Sequence, residues 1–371
     1  MKLSEICLKI TDGTHGSIID DKEGSFYLLS CKNIKNGKIV ITNIDRRIKY
    51  TTFKNLNKRT NLSVNDILIT TVGTIGELAI INSHEINYEF QRSVGIIKVD
   101  PERIIPKYVF YYLSSNSAKN QINSLIKGAV QKCLFLNDIG RIEIVEKTIF
   151  EQQHIVDIIG SIDELIESNN QIISKLLNIL NQKVNLLASQ TKEFIPLSKI
   201  IKEKKERVGT NEVKLLSVVN TGNLILQDEY FDKNIASADM TKYKLIRKFD
   251  FAYNPARINI GSIGMLKENY LGAMSPIYVV FEINENYKYY LDFYKSSDYM
   301  KKYIEKKSSG SVRQNLPFEE FSTIEIPKIN MGLLKEFNSL CDLYYKKIND
   351  LKTKTTKLET LKNQYLKKFF G

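Results

Sequence analysis

The sequence predicts an α+β protein in which one unit is written twice, each copy a β-rich domain with short helices followed by a long helix. Three observations predict this. "GAVQKCL" at 128–134 returns as "GSVRQNL" at 310–316. Short apolar runs rich in β-branched residues, separated by Gly, Asn and Asp, fill the front of each copy. A proline-free stretch of heptad-spaced apolar residues closes each one.

The repeat is colinear. The offset of 182 that carries Gly128 onto Gly310 also carries "IEI" at 142–144 onto "IEI" at 324–326, and Ser93 onto Ser275. Earlier matches drift as loop insertions would make them: "GTIG" at 73–76 with "GSIG" at 261–264, "LLSCKNIKNGKI" at 28–39 with "LLSVVNTGNLI" at 215–225, "LSEI" at 3–6 with "LSKI" at 197–200. A unit this long is a domain duplication, not a solenoid repeat. The expected boundaries are 1–148 and 191–330 for the two β-rich domains, 149–190 and 331–371 for the two helices.

Each β-rich part has its strand runs: "SFYLLSCKNI", "DILITTVGTIG" and "SVGIIKVD" in the first, "VKLLSVVN", "DFAYNPARINIGSIG" and "PIYVVFEI" in the second. The first helix carries three apolar columns. One is Ile155, Ile162, Asn169, Leu176, Lys183; the next is Ile158, Leu165, Ile172, Ile179, Leu186; the last is Ile159, Ile166, Ile173, Leu180, Leu187. Together they predict a wide stripe facing a partner helix. The same offset gives Phe337, Tyr344, Leu351, Leu358 and Tyr365 as the seam of the second helix. Asn169 is a polar residue in that seam, of the kind that fixes register at a cost in stability.

With 371 residues the chain suits two domains plus connectors. Lys and Arg number 54 against 42 Asp and Glu, a net charge of +12, which favours a polyanionic partner. Four scattered cysteines and three scattered histidines make no zinc pattern. No apolar stretch is long enough for a membrane span and no signal peptide is visible, so a cytoplasmic protein is expected.

No P-loop, HExxH or GxSxG occurs. The paired glycines of "GTIG" and "GSIG" read as tight turns between strands. "YNPAR" at 253–257 approaches the Asn-Pro-Pro-aromatic tetrad of adenine methyltransferases, but Ala256 and Arg257 replace the second proline and the stacking ring. It reads as a loop presenting Arg257. "TDGTH" at 11–15 reads as an Asx-type turn or a DNA-contacting loop.

These segments resemble the specificity subunit of type I restriction–modification enzymes. The resemblance rests on "TDGTH", "LSCKNIKNGKI", "FQRSVGIIKV" and "EQQHIVDIIGSIDELIESNNQIISKL" in the first copy, and on "DFAYNPARINIGSIG", "MSPIYVVF" and "GSVRQNLPFEEFSTIEIP" in the second. The chain departs from the family pattern at the start of the second helix, where "KINMGLLKEF" replaces a proline and a Glu-Gln pair. The resemblance implies two target recognition domains, each reading half of a split, asymmetric DNA target, and an antiparallel coiled-coil spacer. It implies no catalysis in this chain, two methyltransferase subunits carrying S-adenosylmethionine, and restriction subunits that translocate and cut DNA. Candidate DNA contacts are Thr14, His15, Gln91, Arg92, Gln131 and Lys132 in the first copy, and Tyr253, Arg257, Asn259, Arg313 and Gln314 in the second. The alternatives are a specificity subunit of a related type II system, a stand-alone methyltransferase or nuclease, or a coiled-coil scaffold.

Overall fold

A computed structural model describes residues 1–128, 131–227, 240–308 and 315–371. It divides into two compact units, Met1–Asn169 with Thr353–Gly371, and Asn170–Lys352.

Unit 1 is built on strands β1 (Cys7–Asp12), β2 (Phe26–Leu29), β3 (Ile67–Thr70), β4 (Leu78–Ile80), β5 (Tyr88–Phe90) and β6 (Val94–Val99). Its main sheet has the antiparallel order β1-β6-β3-β4, and β2 pairs in parallel with β5 in a second sheet. The runs "ILIT" and "VGII" do not alternate because both faces of the sheet are covered. Ile67, Ile69, Ile97 and Val99 face the helices, while Leu68, Ala79, Val94 and Ile96 pack with Leu29, Ile34 and Phe90. Each such side chain contributes about 1.5–3 kcal/mol on full burial.

Unit 2 repeats the plan with β7 (Ile201–Lys204), β8 (Lys214–Val218), β9 (Phe251–Tyr253), β10 (Ile263–Met265), β11 (Gly272–Met274) and β12 (Val279–Ile283). The order β7-β12-β9-β10 matches unit 1, and β8 pairs in parallel with β11 as β2 does with β5. The match extends to single turns. Asn65 has φ 71° and precedes buried Asp66, which holds Lys98; Phe249 has φ 72° and precedes buried Asp250, which accepts from Lys204 Nζ at 2.7 Å. The duplication read from the sequence is therefore a duplication of fold.

A helix α1 (Pro106–Ser114) covers the sheet of unit 1, and α3 (Lys288–Tyr294) occupies the same place in unit 2. The long helices are α2 (Ile149–Ser189) and α4 (Met331–Phe370), each shared between the units. Within unit 1 they run antiparallel: Asn169 Nδ2 donates to Thr355 Oγ1 at 3.3 Å, and Lys362 Nζ to Asp163 Oδ1 at 2.6 Å. Phe370 closes the unit edge-on against Tyr108 and Tyr112. Within unit 2, Leu180, Val184 and Leu187 share a core with Leu334, Phe337 and Cys341.

Of the expected seam, Ile155, Ile162, Phe337 and Leu351 are buried; Asn169, Leu176, Tyr344, Leu358 and Tyr365 are half-buried. The stripe is narrower than its sequence suggests. Leu165, Ile172, Ile179 and Leu186 are 40–55% exposed. Three residues of helix turn the chain through about 300°, so this column lies some 60° to one side of the first, away from the third. The burial of Ile155, Ile159 and Ile162, then Leu180 and Leu187, follows the first and third columns.

The helix starts are capped locally. Thr148 and Glu151 form a reciprocal capping box, and Gln152 is buried, accepting from Ile105 N at 2.9 Å. Asn330 Oδ1 accepts from Gly332 N at 2.8 Å and so caps α4, where the proline is missing. All four cysteines are free thiols; burial pushes the thiol of Cys7 up to about 12. Among the described residues no His, Cys, Asp or Glu group has a metal-site arrangement, and no helix is long and apolar enough to cross a membrane.

Candidate nucleic-acid interface

In unit 1, β1 ends, β3 turns into β4, and β6 begins at the same edge of the sheet. The loops there are joined by backbone bonds. Thr14 N donates to Phe90 O at 2.8 Å, and Arg92 N donates to Thr14 O at 3.0 Å. Thr71 N donates to Ser93 O at 3.0 Å, and Leu134 N donates to Thr71 O at 3.0 Å. Val72 pairs with Cys133. Thr14, His15, Gln91, Arg92, Gln131 and Lys132 therefore lie on one loop cluster, although 117 positions separate Thr14 from Gln131. His15, Arg92, Gln131 and Lys132 are exposed; Thr14 and Gln91 are half-buried.

The "TDGTH" loop is built rather than loose. Asp12 is buried and receives His15 Nε2 at 2.6 Å and Arg59 Nη1 at 3.3 Å. Arg59 Nη2 donates to the carbonyls of Asp12 and Gly13. Gly13 is required by close approach, since a Cβ there would lie 2.1 Å from Phe90 O. Arg59 was not among the sequence candidates. It lies on a helix at 50–60 with no motif of its own, and only the fold brings it under the loop.

In unit 2 the corresponding edge carries 254–262, between β9 and β10. Asn254 Oδ1 accepts from Ala256 N at 3.0 Å, and Arg257 N donates to Asn254 O at 2.9 Å. The asparagine is thus committed to its own Asx turn, and that turn presents Arg257, which is exposed. Asn259 is half-buried. Tyr253 is a correction. Its side chain is fully buried, its hydroxyl donates to Leu316 O at 3.1 Å, and its ring packs on Phe321 with centroids 5.0 Å apart. A strand residue on the helix-facing side cannot reach DNA. Arg313 and Gln314 lie outside the described residues, as do Ala129 and Val130 of the matching segment.

Of the paired glycines, Gly73, Gly76 and Gly261 have positive φ, as turns require. Gly264 serves by close approach instead: a Cβ on it would lie 2.9 Å from Gly222 O. The turn at 219–222 thus supports the loop that carries Arg257.

With this geometry in view, the comparisons with known proteins are specific. Residues 13–178 match the family model described as the type I restriction modification DNA specificity domain. The match falls on the first half of the chain, where most of unit 1 and the start of α2 lie. The EcoBI type I restriction enzyme specificity subunit of Escherichia coli is 26% identical to the chain over 170 residues, 46% of this chain and 35% of that protein. The match thus spans about a third of the curated relative's length. The crystal structure of the type I restriction–modification system S subunit from M. genitalium aligns with TM-score 0.56 at 16% identity, covering 100% of this chain and 95% of that one. The fold of that subunit is thus shared over the full length of this chain.

Proposed function

We propose that this chain is the DNA-reading subunit of a type I restriction–modification complex and carries no catalytic step itself. The observation that carries the proposal is the duplication: a DNA specificity domain in unit 1 and a second copy of its fold in unit 2, each with its polar side chains on one loop edge. Two readers of different sequence suit a split, asymmetric target, by the half-site logic of dimeric regulators. Charge supports the reading, with an excess of 12 cations. Arg313 and Gln131, matched in sequence at the offset of 182, are side chains that suit bidentate contacts to guanine and adenine edges.

The partners that follow are double-stranded DNA, methyltransferase subunits that bring S-adenosylmethionine, and restriction subunits. The test is a methylome. The chain is expressed with the methyltransferase subunit in a host free of adenine methylation. Methyl-adenine at one split motif, lost when this chain is omitted, is the expected result. Methylation unchanged by its omission, in a complex shown to assemble, would refute the reading.

A further inference from the structure

Unit 2 holds a buried ionic cluster that unit 1 lacks. Lys267 Nζ donates to one carboxylate oxygen of Asp292 at 2.8 Å, and Lys295 Nζ donates to the other. Lys295 also donates to Gly222 O at 3.1 Å. Asp292 is 6% exposed and Lys295 8%. Burial would raise the Asp292 carboxyl, yet the two lysines hold it down to about 2, so it stands as a carboxylate. Burial pulls the Lys295 ammonium down while the Asp292 carboxylate beside it opposes that, and Lys267 is the second cation against the same carboxylate.

The duplication supplies an internal control. Ser115 Oγ accepts from Ala118 N, and Ser297 Oγ accepts from Met300 N, so the following helix is capped alike in both units at an offset of 182. That offset sets Asp292 against Phe110 and Lys295 against Leu113, both buried. Leu266 N donates to Asp250 O as Ile81 N donates to Asp66 O, which sets Lys267 against Asn82. Unit 1 therefore has two buried apolar side chains where unit 2 has Asp292 and Lys295, and an exposed asparagine at the place of Lys267. Exchanging a buried ion pair for well-packed apolar residues is commonly neutral or stabilising. Stability alone gives unit 2 no reason to keep three charges there.

The cluster opens on a cavity of about 370 Å³, lined also by Asn178, Asn181 and Asn223. Both oxygens of Asp292 are taken up by the lysines, so it offers an entering anion little repulsion that is not already balanced. Each ammonium has three protons. Lys267 spends one on Asp292 and lies 5.4 Å from the Tyr345 ring centre, which leaves donors for a ligand. Three asparagine amides add further N–H groups. Lysine and amide N–H donors around room for a tetrahedral group define the chemistry of an oxyanion site.

We propose that this cavity binds a phosphate group. One wall is the 219–222 turn that supports the Arg257 loop, so a DNA backbone phosphate is one source, resting on the DNA-reading function above; a free phosphate is the other.

The test has two arms. In the first, the complete chain is melted in inorganic phosphate and in chloride at equal ionic strength. Phosphate should raise Tm above chloride in the wild type and not in Lys267→Gln. In the second, DNA affinity of the chain assembled with its methyltransferase partner is followed against salt. A slope of log affinity on log salt that falls by about one in Lys267→Gln identifies the DNA backbone as the source. An unchanged slope with lost phosphate protection identifies free phosphate. Equal protection of both proteins, or none in either with an unchanged slope, overturns the proposal. If the wild-type complex does not bind DNA, the functional reading fails while the melting arm still judges the cavity. Should Lys267→Gln not fold, the triple variant Lys267→Asn, Asp292→Phe, Lys295→Leu installs the unit 1 solution and carries the same comparison.

Discussion

Tyr253 and Arg257 lie four positions apart and have opposite surroundings, one sealed in the core and the other on the loop tip. Replacing Arg257 by Ala should weaken recognition of one half-site by about 1–3 kcal/mol and leave the other half-site intact, if it contacts a base edge. Methylation of single-base target variants would show this, and an equal loss on every sequence would mean a phosphate contact. Gly13→Ala places a Cβ against Phe90 O and should destabilise unit 1 by about 1–3 kcal/mol or more, read by urea unfolding. Asp292 sets a pH dependence. Its value is depressed from 3.8 to about 2, so its contribution is complete above the ordinary value and is lost as pH falls through about 2. At ~1.4 kcal/mol per unit this amounts to ~2 kcal/mol. Urea midpoints between pH 5 and pH 2 should record that loss in the wild type and not in the triple variant Lys267→Asn, Asp292→Phe, Lys295→Leu. Residue fates were partly legible. The loop at "YNPAR" was readable from its proline and Asx chemistry, but the burial of Tyr253 depends on which face of β9 meets the helices, and a three-residue strand does not announce its face.

At the scale of elements, the long helices were the most legible part, because heptad spacing over some forty residues has no competing explanation. Their width was not. All three columns of α2 are apolar, and periodicity alone does not say which two face the core. The Asn169–Thr355 bond marks a polar layer in the helix pair of unit 1. Asn169→Leu with Thr355→Leu should leave stability unchanged or raise it by about 1 kcal/mol, since both partners are removed together. The cost should appear in register. Cysteine pairs placed across the helices at 163 and 362 would cross-link in one pattern in the wild type and in several in the double variant. The helix starts use Thr148 and Asn330 in place of proline; Thr148 with Glu151 is a capping pattern written in the sequence, whereas Asn330 has no such partner three residues on.

For the whole molecule, the repeat made the architecture legible before any strand was placed. Two copies in the same order leave few folds to consider, and the main sheets of the two units agree strand for strand, while the second sheet has three strands in unit 1 and four in unit 2. What the repeat concealed is where the copies differ. The ionic cluster of unit 2 stands against Phe110 and Leu113, and only a residue-level alignment of the copies shows the exchange. If the two units read separate half-sites, grafting 254–262 from a chain with another target should change one half of the methylated motif and keep the other. A motif altered in both halves would count against independent readers.

The sharing of the long helices between the units has a bearing on biosynthesis. Leu366 and Phe370 belong to the core that holds Ile6, Tyr108 and Ile155, so the core of unit 1 is completed only after the whole of unit 2 has left the ribosome. Unit 2 is continuous in sequence and can close while unit 1 still waits, its aromatic helix uncovered. The nascent first half must therefore be kept from aggregating until the far end of α4 has been made. A chain halted near residue 352 would then be protease-resistant in its second half and sensitive in its first.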